Sequence, residues 1–130
     1  MNFNQSNPIY LQIAVKICDG VLGGEYTVGQ RIPSVREMAV AIEVNPNTVQ
    51  RTYTTLQQWG IVEMRRGQGY FVTADALART RRRRRRILEQ EEIPRILEYL
   101  STLSMSIDEF SALCREAQER QQAKSKEEQR

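Results

Sequence analysis

The alternation of apolar and polar positions divides the chain into short helices, one pair of strands and a long helical remainder. Tyr10, Ile13, Ala14, Ile17 and Val21 recur at intervals of three and four, the spacing of one helix face. Asn7-Pro8 precedes them. An Asn cap with Pro in the first turn marks a helix start, because the N–H that Pro lacks would have no partner there. Gly20, Gly23 and Gly24 predict the end of this helix. Residues 26–33 carry Gly29 and Pro33 and predict an extended connector, with Ile32 held in β space by the proline that follows it. Ser34-Val35-Arg36-Glu37 is a capping box, opening a helix with Val35, Met38, Ala39 and Ile42 inward. Asn45-Pro46 repeats the start signature. A third helix follows with Val49, Thr52, Tyr53, Leu56 and Trp59 inward and Gly60 behind it. Two short helices joined by about four residues form a helix-turn-helix.

Two β-rich runs, 61–65 and 70–73, flank Arg66-Gly67-Gln68-Gly69 and predict a hairpin. A hairpin directly after a helix-turn-helix makes a winged helix. From residue 74 to 92 no Gly or Pro interrupts a helical reading, and Pro94 predicts a kink or restart near 93. Ile93, Ile96, Leu100 and Leu103 form a seam of the kind that packs on another helix. Ser106-Ile107-Asp108-Glu109 is a second capping box, with Phe110, Leu113, Cys114 and Ala117 on one face behind it. From Gln118 the residues are polar with occasional Ala, which predicts fraying and a disordered tail over 121–130. The expected fold is mainly α with a small β-hairpin. It comprises a winged helix-turn-helix over 1–73 and a helical segment over 74–120.

The chain has 130 residues and a formal net charge of +3. That total conceals its distribution. Residues 1–73 carry net +1, residues 74–86 net +6, and residues 87–130 net −4. Such asymmetry points towards nucleic acid. There is no histidine, no nucleophile–base pair, no phosphate loop and no metal-ligand spacing, so an enzyme, a cofactor and a metal are not expected. No apolar run is long enough for a membrane span and no secretory signal is visible, which makes a cytoplasmic protein the expectation. Cys18, on a core-facing helix, reads as an inert buried thiol.

The polar face of the third helix presents Asn47, Thr48, Gln50 and Arg51 near its start. These amides, hydroxyl and guanidinium are the groups that read base edges or hold phosphates. The first part of the second helix of a helix-turn-helix is the part that enters the major groove. Arg31, Ser34 and Arg36 gather at the preceding helix start, where backbone N–H groups and a partial positive charge suit a phosphate. Arg65, Arg66, Gly67 and Gly69 form the hairpin tip, with arginine suited to the negative potential of a narrow groove. The six arginines at 81–86 turn by about 100° per residue and so ring their helix. Three roles stay open for them: phosphate contacts, pairing with Glu89, Glu91, Glu92 or a partner's acidic tail, and a plain solvated face.

Residues 8–72 resemble the winged-helix domain of the GntR family of bacterial transcription regulators. The resemblance lies in Pro8-Ile9-Tyr10-Leu11-Gln12-Ile13, Gly29-Gln30-Arg31-Ile32-Pro33-Ser34-Val35-Arg36-Glu37-Met38-Ala39, Val44-Asn45-Pro46-Asn47-Thr48-Val49, Tyr53-Thr54-Thr55-Leu56, Gly60-Ile61-Val62 and Arg66-Gly67-Gln68-Gly69-Tyr70-Phe71-Val72. The Asn-Pro-Asn-Thr-Val form and the short C-terminal part are most similar to the YtrA-type subfamily. The resemblance implies a homodimeric repressor of a near-palindromic double-stranded DNA site, often beside transporter genes. It implies DNA contacts at Arg31, Ser34, Arg36, Asn45, Asn47, Thr48, Gln50, Arg51, Arg66 and Gly67. It also implies a dimer surface around Ile93, Ile96, Leu100, Leu103, Phe110, Leu113 and Ala117. No room remains for a separate ligand domain, so any small-molecule effector would need a crevice. The rival reading is a winged helix that binds protein, or DNA without regard to sequence.

Overall fold

Helix α1, Ile9–Leu22, starts one residue later than its sequence signature suggests. The structure is a computed structural model and describes residues 7–129; residues 1–6, where no secretory signal is visible, and Arg130 of the expected tail lie outside the described residues. Pro8 takes the cap position because its ψ of 153° is extended, and its carbonyl accepts from the amides of Leu11 and Gln12. Asn7 caps nothing with its side chain; its carbonyl accepts from the Gln12 side-chain Nε2 at 2.8 Å. The helix also runs through Gly20. A Cβ there would lie 2.6 Å from the Tyr26 ring, so this glycine is a packing site for the connector and not a stop.

Helix α2, Val35–Ile42, is opened by Ser34, whose Oγ accepts from the Glu37 amide at 3.1 Å, and closes at Glu43 with φ 56°. Helix α3, Pro46–Gln58, is opened by Asn45, whose Oδ1 accepts from the Asn47 amide at 2.8 Å. Strands β1, Val62–Arg65, and β2, Gly69–Val72, pair antiparallel with Val62 opposite Val72 and Arg65 opposite Gly69. The connector joins them. Arg31 bridges Phe71, the Ile32 amide donates to the Tyr70 carbonyl, and the Gly29 amide donates to the Val72 carbonyl, both at 2.9 Å. The expected extended link is therefore a short third edge of the wing.

Ala14, Ile32, Val49, Tyr53, Leu56, Ile61, Val62 and Val72 meet in one core. Each larger side chain buried there contributes roughly 1.5–3 kcal/mol. Two hydroxyls fix α3 within it. Thr52 Oγ1 lies 2.8 Å from the Tyr10 carbonyl of α1, and the Tyr53 hydroxyl donates to the Pro33 carbonyl at 2.6 Å. Burial raises the Tyr53 phenol well above its ordinary pKa. Ile42, expected inward, stands at the rim of a 420 Å³ cleft between α1 and α2, which do not close over it.

By packing, the chain forms two compact units that divide between Arg86 and Ile87, thirteen residues beyond the expected end of the winged helix at 73. The expected boundary followed the end of the hairpin, whereas helix packing carries the first unit on through residue 86. Helix α4, Ala76–Ile87, buries Ala76 and Thr80 in the first unit. A π-helical turn, Leu88–Glu92, leads to helix α5, Ile93–Thr102, which carries Pro94 in its first turn. Pro94 has no N–H for the carbonyl four residues back and its ring crowds that carbonyl, so a wider turn accommodates it. Helix α6, Ile107–Glu128, is capped by Ser106 Oγ, which accepts from the Glu109 amide. It does not fray at Gln118, and the stretch expected to be a disordered tail is helical to Glu128. Gln, Lys, Glu, Arg and Ala are good helix formers, and no Gly or Pro stops them. Among the described residues no helix is long and apolar enough to cross a membrane.

Candidate nucleic-acid interface

The outer face of α3 is ordered by the wing. Gln50 Nε2 donates to the Tyr70 hydroxyl at 3.1 Å, and Tyr70 stands edge-on to Tyr53 with ring centroids 5.0 Å apart. A core tyrosine thus positions a wing tyrosine, which positions an amide on the exposed face. At the next residue, the Arg51 guanidinium lies 4.0 Å from the Tyr10 ring centroid. Asn47 and Thr54 complete the exposed face, with Thr48 half-buried at its edge. Periodicity places Tyr10 in the core stripe, and Tyr70 lies in the second β-rich run. Both are half-buried and each holds a polar side chain of α3, a role that periodicity does not register.

Arg31 joins three elements. Its Nε donates to the Gln68 carbonyl in the wing turn at 3.0 Å, and its guanidinium lies 3.5 Å from the Glu37 carboxylate on α2. This arrangement depends on Gly69, whose φ is 109° and whose added Cβ would stand 3.0 Å from Arg31 Nε. Glu37 completes the capping box. Hydrogen bonds from the Ser34 hydroxyl and backbone, then Arg31, hold its carboxyl below the usual range. Ser34 and Asn45 are thus both engaged as helix caps. Their side-chain oxygens already hold amides, which narrows what either can offer a second partner.

The hairpin tip divides its two arginines. Arg65 bonds to the Glu63 carboxylate at 3.0 Å and lies 4.1 Å from the Phe71 ring centroid. Arg66 is exposed at the turn, beside Gly67 with φ 75°. The turn closes through the Gln68 amide and the Arg65 carbonyl at 2.9 Å. Arg36, on the first turn of α2, is also exposed, and neither Arg36 nor Arg66 has an ion pair among the described residues. The pairing of Arg36 with Glu37 or Glu43 that the spacing allows does not occur. The exposed α3 face, the α2 start and the wing tip thus present amides, hydroxyls and guanidiniums with little acidic charge. That combination suits phosphates and base edges. No group of three or more metal-ligating side chains occurs among the described residues.

The six arginines at 81–86 sit elsewhere. Arg84 pairs with Asp19 and reaches the Val15 carbonyl, both on α1, and Arg83 lies over Trp59. Trp59, expected as a core anchor, is half-buried at the end of α3 and packs against the core while carrying that guanidinium.

A helix-turn-helix backed by a three-edged wing, with its polar groups on the outer face of the second helix, is a winged-helix domain of the DNA-binding type. Residues 9–72 match the family described as bacterial regulatory proteins, gntR family. The chain is 53% identical over 74 residues to the HTH-type transcriptional regulator YhcF of Bacillus subtilis (strain 168), covering 57% of this chain and 61% of that one. It is 42% identical over 71 residues to the HTH-type transcriptional repressor YtrA of the same organism, covering 55% of each. A GntR-family transcriptional regulator from Bacteroides thetaiotaomicron has a solved structure that is 41% identical, with a TM-score of 0.72 over 88% of this chain and 99% of that one. The chain belongs to the GntR family. Its match spans 61% and 55% of the two curated relatives' lengths. The family and these relatives are regulators rather than enzymes.

Proposed function

We propose that this chain is a sequence-specific DNA-binding transcription regulator that acts in the cytoplasm as a homodimeric repressor on a near-palindromic operator. The observation that carries the reading is the exposed α3 face, with Asn47, Gln50 and Arg51 flanked by Arg36 and Arg66. In this reading α3 lies in the major groove and the wing tip meets the adjacent backbone or minor groove. Arg31, Ser34, Asn45, Thr48, Arg65, Gly67 and Gly69 support it from the edges, several by holding the framework. Control of transporter genes is part of the proposal and rests on the likeness to YtrA-type regulators alone.

The homodimer rests on the second unit. Ile93, Leu103 and Leu113 expose apolar surface, with Ile96, Phe110 and Ala117 half-buried beside them. Leu100 differs: it is 5% exposed in the single chain and so offers a partner almost nothing. An amphipathic helical unit with this much uncovered apolar surface favours a second copy. Gel-shift titration against genomic fragments and random duplexes tests the function. Tight binding to a subset of fragments is expected. Equal affinity for all duplexes, or for none, would leave a non-specific or protein-binding winged helix instead.

A further inference from the structure

On α4, Arg79, Arg82, Arg83 and Arg86 follow one another at i, i+3, i+4 and i+7, and so share one face. That face meets the end of α3. The Arg83 guanidinium lies 3.4 Å from the Trp59 ring centroid, and the Arg79 guanidinium lies against Gly60. Gln58, Trp59 and the four arginines line a cleft of 240 Å³. Arg79 is paired with Asp75 at 2.6 Å, and no carboxylate lines the cleft. Arg82 and Arg86 are exposed and have no ion pair among the described residues. The C-terminal carbonyls of α3 carry a partial negative charge of about half an electron, which offsets only part of the charge of Arg82 and Arg86.

We propose that this cleft binds a small phosphate-bearing ligand, with Arg82 and Arg86 as its principal holders and Gln58 and Arg79 beside them. A guanidinium offers a phosphate two parallel donors, and several around one cavity are otherwise mutually repulsive. The cavity lies below the ~300–1,000 Å³ of drug-sized sites, which suits a phosphate or diphosphate group. It is not an extension of the DNA face. The 13 residues of α3 rise about 20 Å, and the cleft sits at the opposite end from Asn47 and Gln50.

Trp59 is the sole tryptophan and stands in the cleft wall, so its emission reports directly on occupancy. The full chain is titrated with pyrophosphate at constant ionic strength, with chloride as control and no DNA present. A saturable change at one equivalent per chain is expected with pyrophosphate only. Arg82→Gln with Arg86→Gln should weaken it at least tenfold, and Arg82→Lys with Arg86→Lys should recover part of it at an unchanged unfolding midpoint. A response equal for chloride and pyrophosphate, or an unchanged affinity in the Gln variant, overturns the proposal. A saturable Trp59 response to random duplex that the Gln variant loses also overturns it, because the arginines would then be DNA contacts. The pyrophosphate arm contains no DNA, so it can succeed or fail independently of the operator reading.

Discussion

Tyr70→Phe removes one oxygen and tests whether the wing tunes the reading helix. The lost group accepts a hydrogen bond from Gln50 Nε2 at 3.1 Å. The ring remains, so its edge-on packing on Tyr53 at 5.0 Å should persist and the fold should be unaffected. A neutral hydrogen bond is worth about 0.5–1.5 kcal/mol net, and Gln50 is exposed, so the lower half of that range applies. If the bond holds Gln50 in its reading rotamer, specific affinity should fall by roughly two- to fivefold, at 1.4 kcal/mol per tenfold. No charge is removed, so the salt dependence should not change. The assay is fluorescence anisotropy with a duplex chosen from retained genomic fragments and a random duplex as reference. The decisive arm is a cycle with Gln50→Ala. Once Gln50 is gone, Tyr70→Phe should cost nothing further. An equal loss in both backgrounds would show that Tyr70 acts through the backbone or on DNA directly, and no loss in either would remove the bond from the mechanism.

Arg66→Ala should weaken binding to all duplexes alike and lower the slope of log affinity against log salt by about one, if the wing tip holds a phosphate; an unchanged slope would detach the wing tip from DNA. Cys18 is buried and burial pushes its thiol up to about 11, whereas Cys114 is exposed. A thiol reagent at pH 8 should therefore modify one cysteine in the native chain and two after unfolding. Because the folded state holds the Cys18 proton more tightly, stability is full below its ordinary value of 9.0 and declines as pH rises towards 11. The part of that decline that begins near pH 9 should vanish in Cys18→Ala. Glu37 behaves in the opposite sense. Its folded pKa is lowered, so its contribution is present above the ordinary value of 4.5 and is lost as pH falls through the depressed one. Thermal unfolding should show Glu37→Gln less stable than the parent at neutral pH, with the gap closing in acid; a constant gap would mean that ionisation is not the cause.

The winged helix was legible because each element announces its ends. Ser34 with Glu37, Asn45 with Pro46, and the Gly67/Gly69 turn are local chemistry, and local chemistry decided those elements. The exposed face of α3 could be read for the same reason: Val49, Thr52, Tyr53 and Leu56 claim one side of the helix and leave the other to Asn47, Gln50 and Arg51. What the chain order hides is pairing at long range. Gln50 with Tyr70, Arg51 with Tyr10 and Arg31 with Gln68 link residues 20 to 41 positions apart, and no spacing rule connects them. The role of the arginine run stayed open in the sequence for a related reason. Its composition marks it as a surface charge block, but Arg83 and Arg84 are half-buried against Trp59 and α1, so the first unit extends through them. Gly20 shows the same limit from the other side, since a glycine chosen for Tyr26 to pack on looks in sequence like a helix stop.

These long-range pairs bear on how tightly the site can bind. Ordering a long side chain on association costs about 0.5–1.5 kcal/mol. Gln50, Arg51 and Arg31 are already held before any ligand arrives, by Tyr70, Tyr10 and the Gln68 carbonyl. For Arg51 the restraint need not compete with recognition. Stacking on a ring uses the face of the guanidinium, whereas its N–H donors lie in the plane and point outward from the edge. Arg51 can therefore stay on Tyr10 while its edge meets a base. Arg36 and Arg66 are exposed and have no ion pair among the described residues, and in the proposed reading they meet the phosphate backbone, where charge alone is needed. Under the proposed reading, the protein fixes in advance Gln50 and Arg51, the groups whose direction would carry sequence information, and leaves without an ion pair those that would supply charge alone. If that division is functional, the held side chains govern discrimination between duplexes and the free ones govern overall attraction to DNA.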